Sequence, residues 1–403
     1  MHLSCKLGER MITYTVPLCM VYTVNDQQRS KGRILRNGHK NQLRLYAMLI
    51  ATLVILVHTS GIPHSMIRYW SCKQSRDCCD EKHNIVFLKV HKTGSSTVAN
   101  VLQRYGLYKD LIFALPNKTT RQLRFNYFGG IGETLDSSGI KSSKRHAEDY
   151  NILYNHVIFN DSAFLSKFPK MDFMYVTMLR DPTTQFLSSL QYFLHENISK
   201  AACENISAYL TNPAVFEPTN PYLSFTDNRQ ALDLGLSPTK VRDLDAIISH
   251  IMMLDEIFDL VLITEYFDES LIILKRRMCW QLKDIIYLRK NMAYKSLNIT
   301  INDKDEKNLK MWNLADHYFY QYFRDKFIGI LTQERNLTEE VQNYRRILND
   351  TRIFCTSRSR RSHLDIEQTI WNPSFTVTSL DCAYMRIGEL KFHTKLLWQS
   401  NVQ

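Results

Sequence analysis

IVFLKVHKTGSSTVANVLQRY, residues Ile85–Tyr105, is the stretch that decides how this chain folds. Ile85 to Val90 is almost wholly apolar, as in a strand buried on both faces, whereas Val98, Val101, Leu102 and Tyr105 recur at helical spacing. Between strand and helix lies KVHKTGSST, Lys89 to Thr97. A strand, a tight loop and a helix start in that order form a phosphate cradle. The first helical N–H groups have no partner within the helix, and the helix dipole places positive charge there. Gly94 allows close backbone approach, and Ser95, Ser96 and Thr97 add hydroxyl donors. Lys92 supplies a point charge, with His91 and Thr93 beside it. There is no GxxxxGK, so this is not a Walker A loop, and a nucleotide kinase is disfavoured. Taken alone, the segment also reads as a serine-rich helix start between two surface lysines.

Working outward, FMYVTML (Phe173 to Leu179) and FDLVLIT (Phe258 to Thr264) are further apolar runs of strand length, separated by helical patterns. The expected fold is α/β, a three-layer αβα sandwich with a mainly parallel sheet. A second constellation, YVTMLRDPTTQFLSSLQYF, runs from Tyr175 to Phe193. Arg180 ends the strand, Asp181 suits an N-cap and Pro182 the first helical position, with Ser188 about two turns on. An arginine and a serine so placed can grip a phosphate through the forked guanidinium. The bland alternative is a helix start in which Arg180 pairs with a carboxylate.

The chain has 403 residues and a formal net charge of +11. Residues 1–44 carry eight Lys/Arg against Glu9 and Asp26, so much of the excess belongs to a tail and is not a nucleic-acid footprint. Leu45 to Ile62 contains no Lys, Arg, Asp or Glu and approaches the length of a membrane span. Six basic residues, Arg29 to Arg44, precede it, so the charge bias places the N-terminus in the cytosol. A cleaved signal peptide is the rival, but its apolar core would lie nearer the start. The expected organisation is a cytosolic tail (1–44), a transmembrane signal anchor (45–63), a lumenal stem (64–83) and a lumenal domain (84–403). Sequons at Asn117, Asn160, Asn197, Asn205, Asn298, Asn336 and Asn349 all follow the anchor. Seven cysteines follow it too, namely Cys72, Cys78, Cys79, Cys203, Cys279, Cys355 and Cys382, and in a lumen these would tend to pair. No close cysteine pair has zinc-ligand spacing, so no metal site is expected. SRSRRSH, Ser357 to His363, reads as a solvated basic loop.

LKVHKTGSSTVANVL, YNHVIFN (Tyr154 to Asn160), LRDPTTQFLSSLQYF and LITEYFDESLIILKRRMCW resemble, in order and spacing, successive segments of the galactose 3-O-sulfotransferase family. The resemblance runs from about Asn84 into the C-terminal region. This chain has Gly94 where the family usually has alanine, and Asp181 where glutamate is common. The resemblance implies the P-loop-like fold of sulfotransferases that use 3′-phosphoadenosine 5′-phosphosulfate (PAPS), and a single-pass type II protein of the Golgi membrane. It implies sulfonate transfer to the 3-hydroxyl of a terminal β-galactose on a glycolipid, galactosylceramide-like, or on a glycoprotein glycan. His91, Lys92, Thr93, Gly94, Ser95, Ser96, Thr97, Arg180 and Ser188 would hold PAPS, and no metal is required. Lys92 would also stabilise the leaving phosphate. His156 would take the proton from the acceptor hydroxyl, with His91 its competitor and an acid limb nominally near pH 6.5. Monomer and homodimer both stay open. The rivals are a Golgi glycosyltransferase using a metal-binding DxD, at Asp243 to Asp245 or Asp303 to Asp305, and a non-catalytic type II lectin or receptor.

Overall fold

The computed structural model describes residues 2–7, 10–15, 79–116, 127–128, 131–136, 139–141, 150–193, 205–289, 300–357 and 362–402. The chain divides into two compact units, residues 1–79 and 80–403. In the first, β1 (His2–Leu7) and β2 (Arg10–Thr15) pair as an antiparallel hairpin. The expected anchor and most of the stem lie outside the described residues, and no described helix is long and apolar enough to cross a membrane.

The second unit begins with β3 (Ile85–Leu88), followed by α1 (Ser95–Tyr108), the short β4 (Ile152–Leu153), α2 (Asp161–Lys167) and β5 (Met174–Leu179). Then come α3 (Pro182–Tyr192), α4 (Ile206–Thr211), α5 (Arg229–Asp233), α6 (Leu244–Ile257) and β6 (Leu260–Ile263). The four strands form one sheet in the order β4-β3-β5-β6. All its pairings are parallel, with Ile85 opposite both Ile152 and Met174, and Val176 opposite Leu260. Every residue of these strands is buried, on both faces of the pleat, so side chains cover the sheet above and below. Fully buried Phe87, Val176 and Leu262 each contribute about 1.5–3 kcal/mol of apolar transfer. This is the α/β sheet expected from the apolar runs.

The chain continues through α7 (Phe267–Met278), α8 (Leu282–Ile285), α9 (Asp303–Trp312), α10 (Leu314–Gln333) and α11 (Leu337–Thr356). It closes with the hairpin β7 (His363–Ile366) and β8 (Phe375–Thr378), then α12 (Ser379–Arg386) and α13 (Glu389–Val402). One group of helices, α8, α12 and α13, packs on α1; another, α5 and α6, packs on α10, which also touches β6. Cys355 and Cys382 form a disulfide that ties α11 to α12, and Cys79 and Cys279 are each disulfide-bonded. Cys72, Cys78 and Cys203 lie outside the described residues, as do residues 358–361 of the basic loop.

Strand order explains where a site forms. The chain passes from β3 to β4 on one side, then crosses back to β5 on the other, so β3 is the switch point. In open α/β sheets, ligands bind beyond the carboxyl ends of strands at such a point. The loop after β3 is Lys89 to Gly94, and the residue after β5 is Arg180.

Candidate functional site

A cavity of about 1050 Å³ opens at this edge. His91, Lys92, Gly94, Ser95, Ser96, Thr97, His156, Arg180 and Ser188 all line it, so tertiary structure gathers nine of the ten residues singled out from sequence. Thr93, the tenth, is not among the lining residues. It is fully buried, donates its hydroxyl to the Val90 carbonyl at 3.1 Å, and accepts from Thr264 Oγ1 at its own carbonyl. Its hydroxyl and carbonyl hold the loop from behind. Ser95 also turns its hydroxyl back to Val90 O, at 2.7 Å.

The loop reaches this shape through left-handed backbone at Lys92 (φ 60°) and Gly94 (φ 84°). For lysine that conformation costs about 1 kcal/mol, a strain characteristic of functional loops. Gly94 is the residue type such a φ favours, and a Cβ there would come within 3.3 Å of Phe267. The Lys92 ammonium lies 3.7 Å from the centre of the Tyr192 ring. Burial, then Arg180 and Lys89, lower its pKa to about 8.

Arg180 is placed by the boundary its sequence announced. Asp181 caps α3 by accepting from Thr184 N at 2.9 Å, and Pro182 occupies the first turn. Arg180 Nε donates to Thr184 Oγ1 at 3.0 Å, and Nη1 to the Lys92 carbonyl at 3.2 Å. The guanidinium thereby links the two loops.

His156 and His91 sit deeper. Their rings stack with centroids 3.9 Å apart, and both are almost completely buried. His156 Nδ1 lies 2.9 Å from the Lys89 carbonyl, which can only accept; Nδ1 therefore carries the proton and Nε2 the lone pair. Burial, then His91, Lys89 and Arg229, hold the His156 pKa well below 6.5, so the ring is neutral at physiological pH. His91, expected from sequence as a loop residue beside the phosphates, lines the cavity but is buried. Its Nδ1 faces Asp233 Oδ2 at 2.7 Å, and its Nε2 accepts from the Tyr127 hydroxyl at 2.5 Å. Burial lowers its pKa to about 4, despite Asp233 acting in the opposite direction.

Several lining groups carried no recognisable signal in sequence. Lys89 is buried and paired with Glu389, at 2.5 Å and 2.6 Å to the two carboxylate oxygens, and Ser96 Oγ also donates to Glu389 at 3.0 Å. Glu389 opens α13, about 300 residues from the cradle, so no local motif could join them. Arg289 and Lys391 complete the basic lining. Among the described lining residues, Lys89, Lys92, Arg180, Arg289 and Lys391 face one carboxylate, Glu389, an electrostatic match for a polyanion.

Neither acidic triplet reaches the cavity. Asp243 caps α6 through Ala246 N, and Asp305 forms a capping box with Asn302 at the start of α9. They are helix starts. Among the described residues, no group of three or more His, Cys, Asp or Glu could hold a metal ion.

A parallel α/β sheet with a cradle-like loop at its switch point, a second cationic group and a buried neutral histidine makes one basic cavity suited to an anionic ligand. A family model described as galactose-3-O-sulfotransferase matches residues 20–378, and the chain belongs to that family; it is a sulfotransferase. It is 30% identical over 277 residues to galactose-3-O-sulfotransferase 2 of Mus musculus, covering 68% of this chain and 69% of that one. It is 30% identical over 284 residues to galactosylceramide sulfotransferase of Homo sapiens, covering 69% and 65%. Galactose-3-O-sulfotransferase 3 of Mus musculus matches at 30% over 249 residues, covering 60% and 56%. The alignments span roughly two thirds of these relatives or somewhat less.

Proposed function

We propose that this enzyme transfers a sulfonate from PAPS to the 3-hydroxyl of a terminal β-galactose, on a galactosylceramide-like glycolipid or a glycoprotein glycan. The observation that carries the reading is the convergence of the Lys92 loop, Arg180 and His156 on one basic cavity. PAPS, when bound, supplies the activated sulfonate and a phosphate leaving group. Lys92, Ser96, Thr97 and the N-terminus of α1 hold the 5′ end of the donor; Arg180 and Ser188 hold the 3′-phosphate. The Lys92 charge stabilises negative charge as it builds on the leaving oxygen. His156, protonated at Nδ1 by its bond to Lys89 O, presents Nε2 as the base for the acceptor hydroxyl.

The same reading places the enzyme in the Golgi membrane as a single-pass type II protein with its catalytic domain in the lumen. The basic residues before Leu45 and the disulfide between Cys355 and Cys382 support it. So does the exposure of the described sequon asparagines Asn160, Asn205, Asn336 and Asn349. A metal-dependent glycosyltransferase is disfavoured because both DxD triplets start helices away from the cavity. The deciding experiment offers the purified protein labelled PAPS and a panel of terminal β-galactosides, galactosylceramide among them, and locates the sulfated carbon. Transfer to carbon 3 supports the reading; no transfer to any β-galactoside refutes it.

A further inference from the structure

The His91 and His156 pair rests on a carboxylate from a distant part of the chain. Asp233 is buried at the end of α5, 142 residues beyond His91. Its Oδ2 accepts from both the peptide N–H of His91, at 2.8 Å, and His91 Nδ1, at 2.7 Å. Its Oδ1 accepts from Arg229 Nη2 at 2.5 Å, while Arg229 Nε lies 3.2 Å from His91 Nδ1. A carboxylate can only accept, so the proton sits on His91 Nδ1 and leaves Nε2 to accept from Tyr127. Both ring nitrogens of His91 are thus fixed, and its face is the surface against which His156 stacks.

The segment bearing Asp233 is itself held firmly. Asp316 accepts from the N–H groups of Gln230 and Ala231, the Asp233 carbonyl accepts from Phe159 N at 3.0 Å, and Gly235 packs on the Phe159 carbonyl where a Cβ would lie 2.3 Å away. Phe159 follows His156 by three residues. One hydrogen-bonded unit therefore holds both the segment carrying His156, beyond the end of β4, and the ring stacked on it.

We propose that Asp233 is a positioning residue for sulfonate transfer: through His91 it sets the orientation of His156 and, paired with Arg229, the charge balance around it. The proposal rests on the assignment of His156 as the base. Among the described residues, the charged and titratable groups facing the two histidines include Lys89, Arg229, Asp233 and Tyr127. Neutralising Asp233 leaves Arg229 uncompensated beside the pair, which disfavours an imidazolium at His156 and makes it a poorer base. An asparagine also cannot accept from His91 Nδ1 and Arg229 at its two ends at once.

The test compares Asp233→Asn, Asp233→Asn/Arg229→Gln and His156→Ala, each shown to be folded by thermal melting. It measures kcat, KM for PAPS, calorimetric affinity for the desulfonated donor PAP, and the pH–rate profile. Asp233→Asn should lower kcat about 10- to 100-fold, the range seen when the partner that orients a metal-ligating histidine is lost. KM for PAPS and PAP affinity should stay within about threefold, and the acid limb should move to lower pH. The double variant should restore the limb toward its original pH, because the charge is rebalanced; a structural role for Asp233 would not produce that. Wild-type kcat in Asp233→Asn alongside an inactive His156→Ala overturns this inference and leaves the base assignment standing. A loss confined to PAP affinity also overturns it, since Asp233 would then serve only the loop backbone. Wild-type turnover in His156→Ala removes the base assignment and the inference together. If Asp233→Asn does not fold, Tyr127→Phe replaces it, breaking the other bond that holds His91, with the same split between kcat and PAP affinity expected.

Discussion

Raising the pH from 7 to 9 should weaken PAP binding about tenfold, and replacing Lys92 by alanine should abolish that dependence. Burial, Arg180 and Lys89 bring the Lys92 pKa from 10.5 to about 8. Holding the ammonium charged inside the ligand-free cavity therefore costs about 3 kcal/mol relative to water. At pH 7 about nine tenths of the molecules carry that charge, and at pH 9 about one tenth. A phosphate beside the ammonium favours the charged form, so binding takes up a proton and apparent affinity follows the protonated fraction. The sign is thus fixed: affinity is nearly full at pH 7, about halved at pH 8 and declines further as pH rises. Between pH 7 and 9 the two histidines stay neutral and do not contribute. Calorimetry at constant ionic strength, at pH 7, 8 and 9 and in buffers of different ionisation enthalpy, measures both quantities, with uptake of about half a proton expected at pH 8. Flat wild-type affinity across this range, or an unchanged slope in folded Lys92→Ala, would refute the reasoning.

His156→Ala should reduce turnover at saturating PAPS by about 10²- to 10⁴-fold while PAP affinity survives. In the wild type, the acid limb should fall well below pH 6.5, because burial and neighbouring positive charge keep the ring neutral; a limb at or above 6.5 contradicts that cause. Glu389→Gln should tighten PAP binding on the order of tenfold, since the carboxylate competes for Lys89 and Ser96, and should lower the ligand-free melting temperature by leaving Lys89 buried without its counter-charge. Weaker PAP binding in that variant would mean that Glu389 helps hold the donor. Glycosidase treatment of protein made in the secretory pathway should increase gel mobility; no shift, with the C-terminal domain digested in sealed microsomes, contradicts the lumenal placement.

What could be read along the chain was local. The strand at Ile85, the helix beginning at Ser95, the Asp181 cap with Pro182 behind it and the loop between Lys89 and Thr97 each follow from neighbours within a few residues. Backbone geometry and capping operate over that range, so residue order suffices to announce them. Galactose 3-O-sulfotransferase membership was legible too, because its motifs are contiguous segments. The electrostatics of the site was not. Lys89 meets Glu389 across 300 residues, and His91 meets Asp233 across 142. Sequence presented His91 as a loop residue beside phosphates, and only the packed structure showed both its ring nitrogens engaged and its face against His156. It likewise turned Thr93 and Ser95 inward to Val90, a direction that composition does not encode. Desolvation decides whether a histidine is a neutral base or a lysine a titrating one, and desolvation exists only once distant segments close over the group.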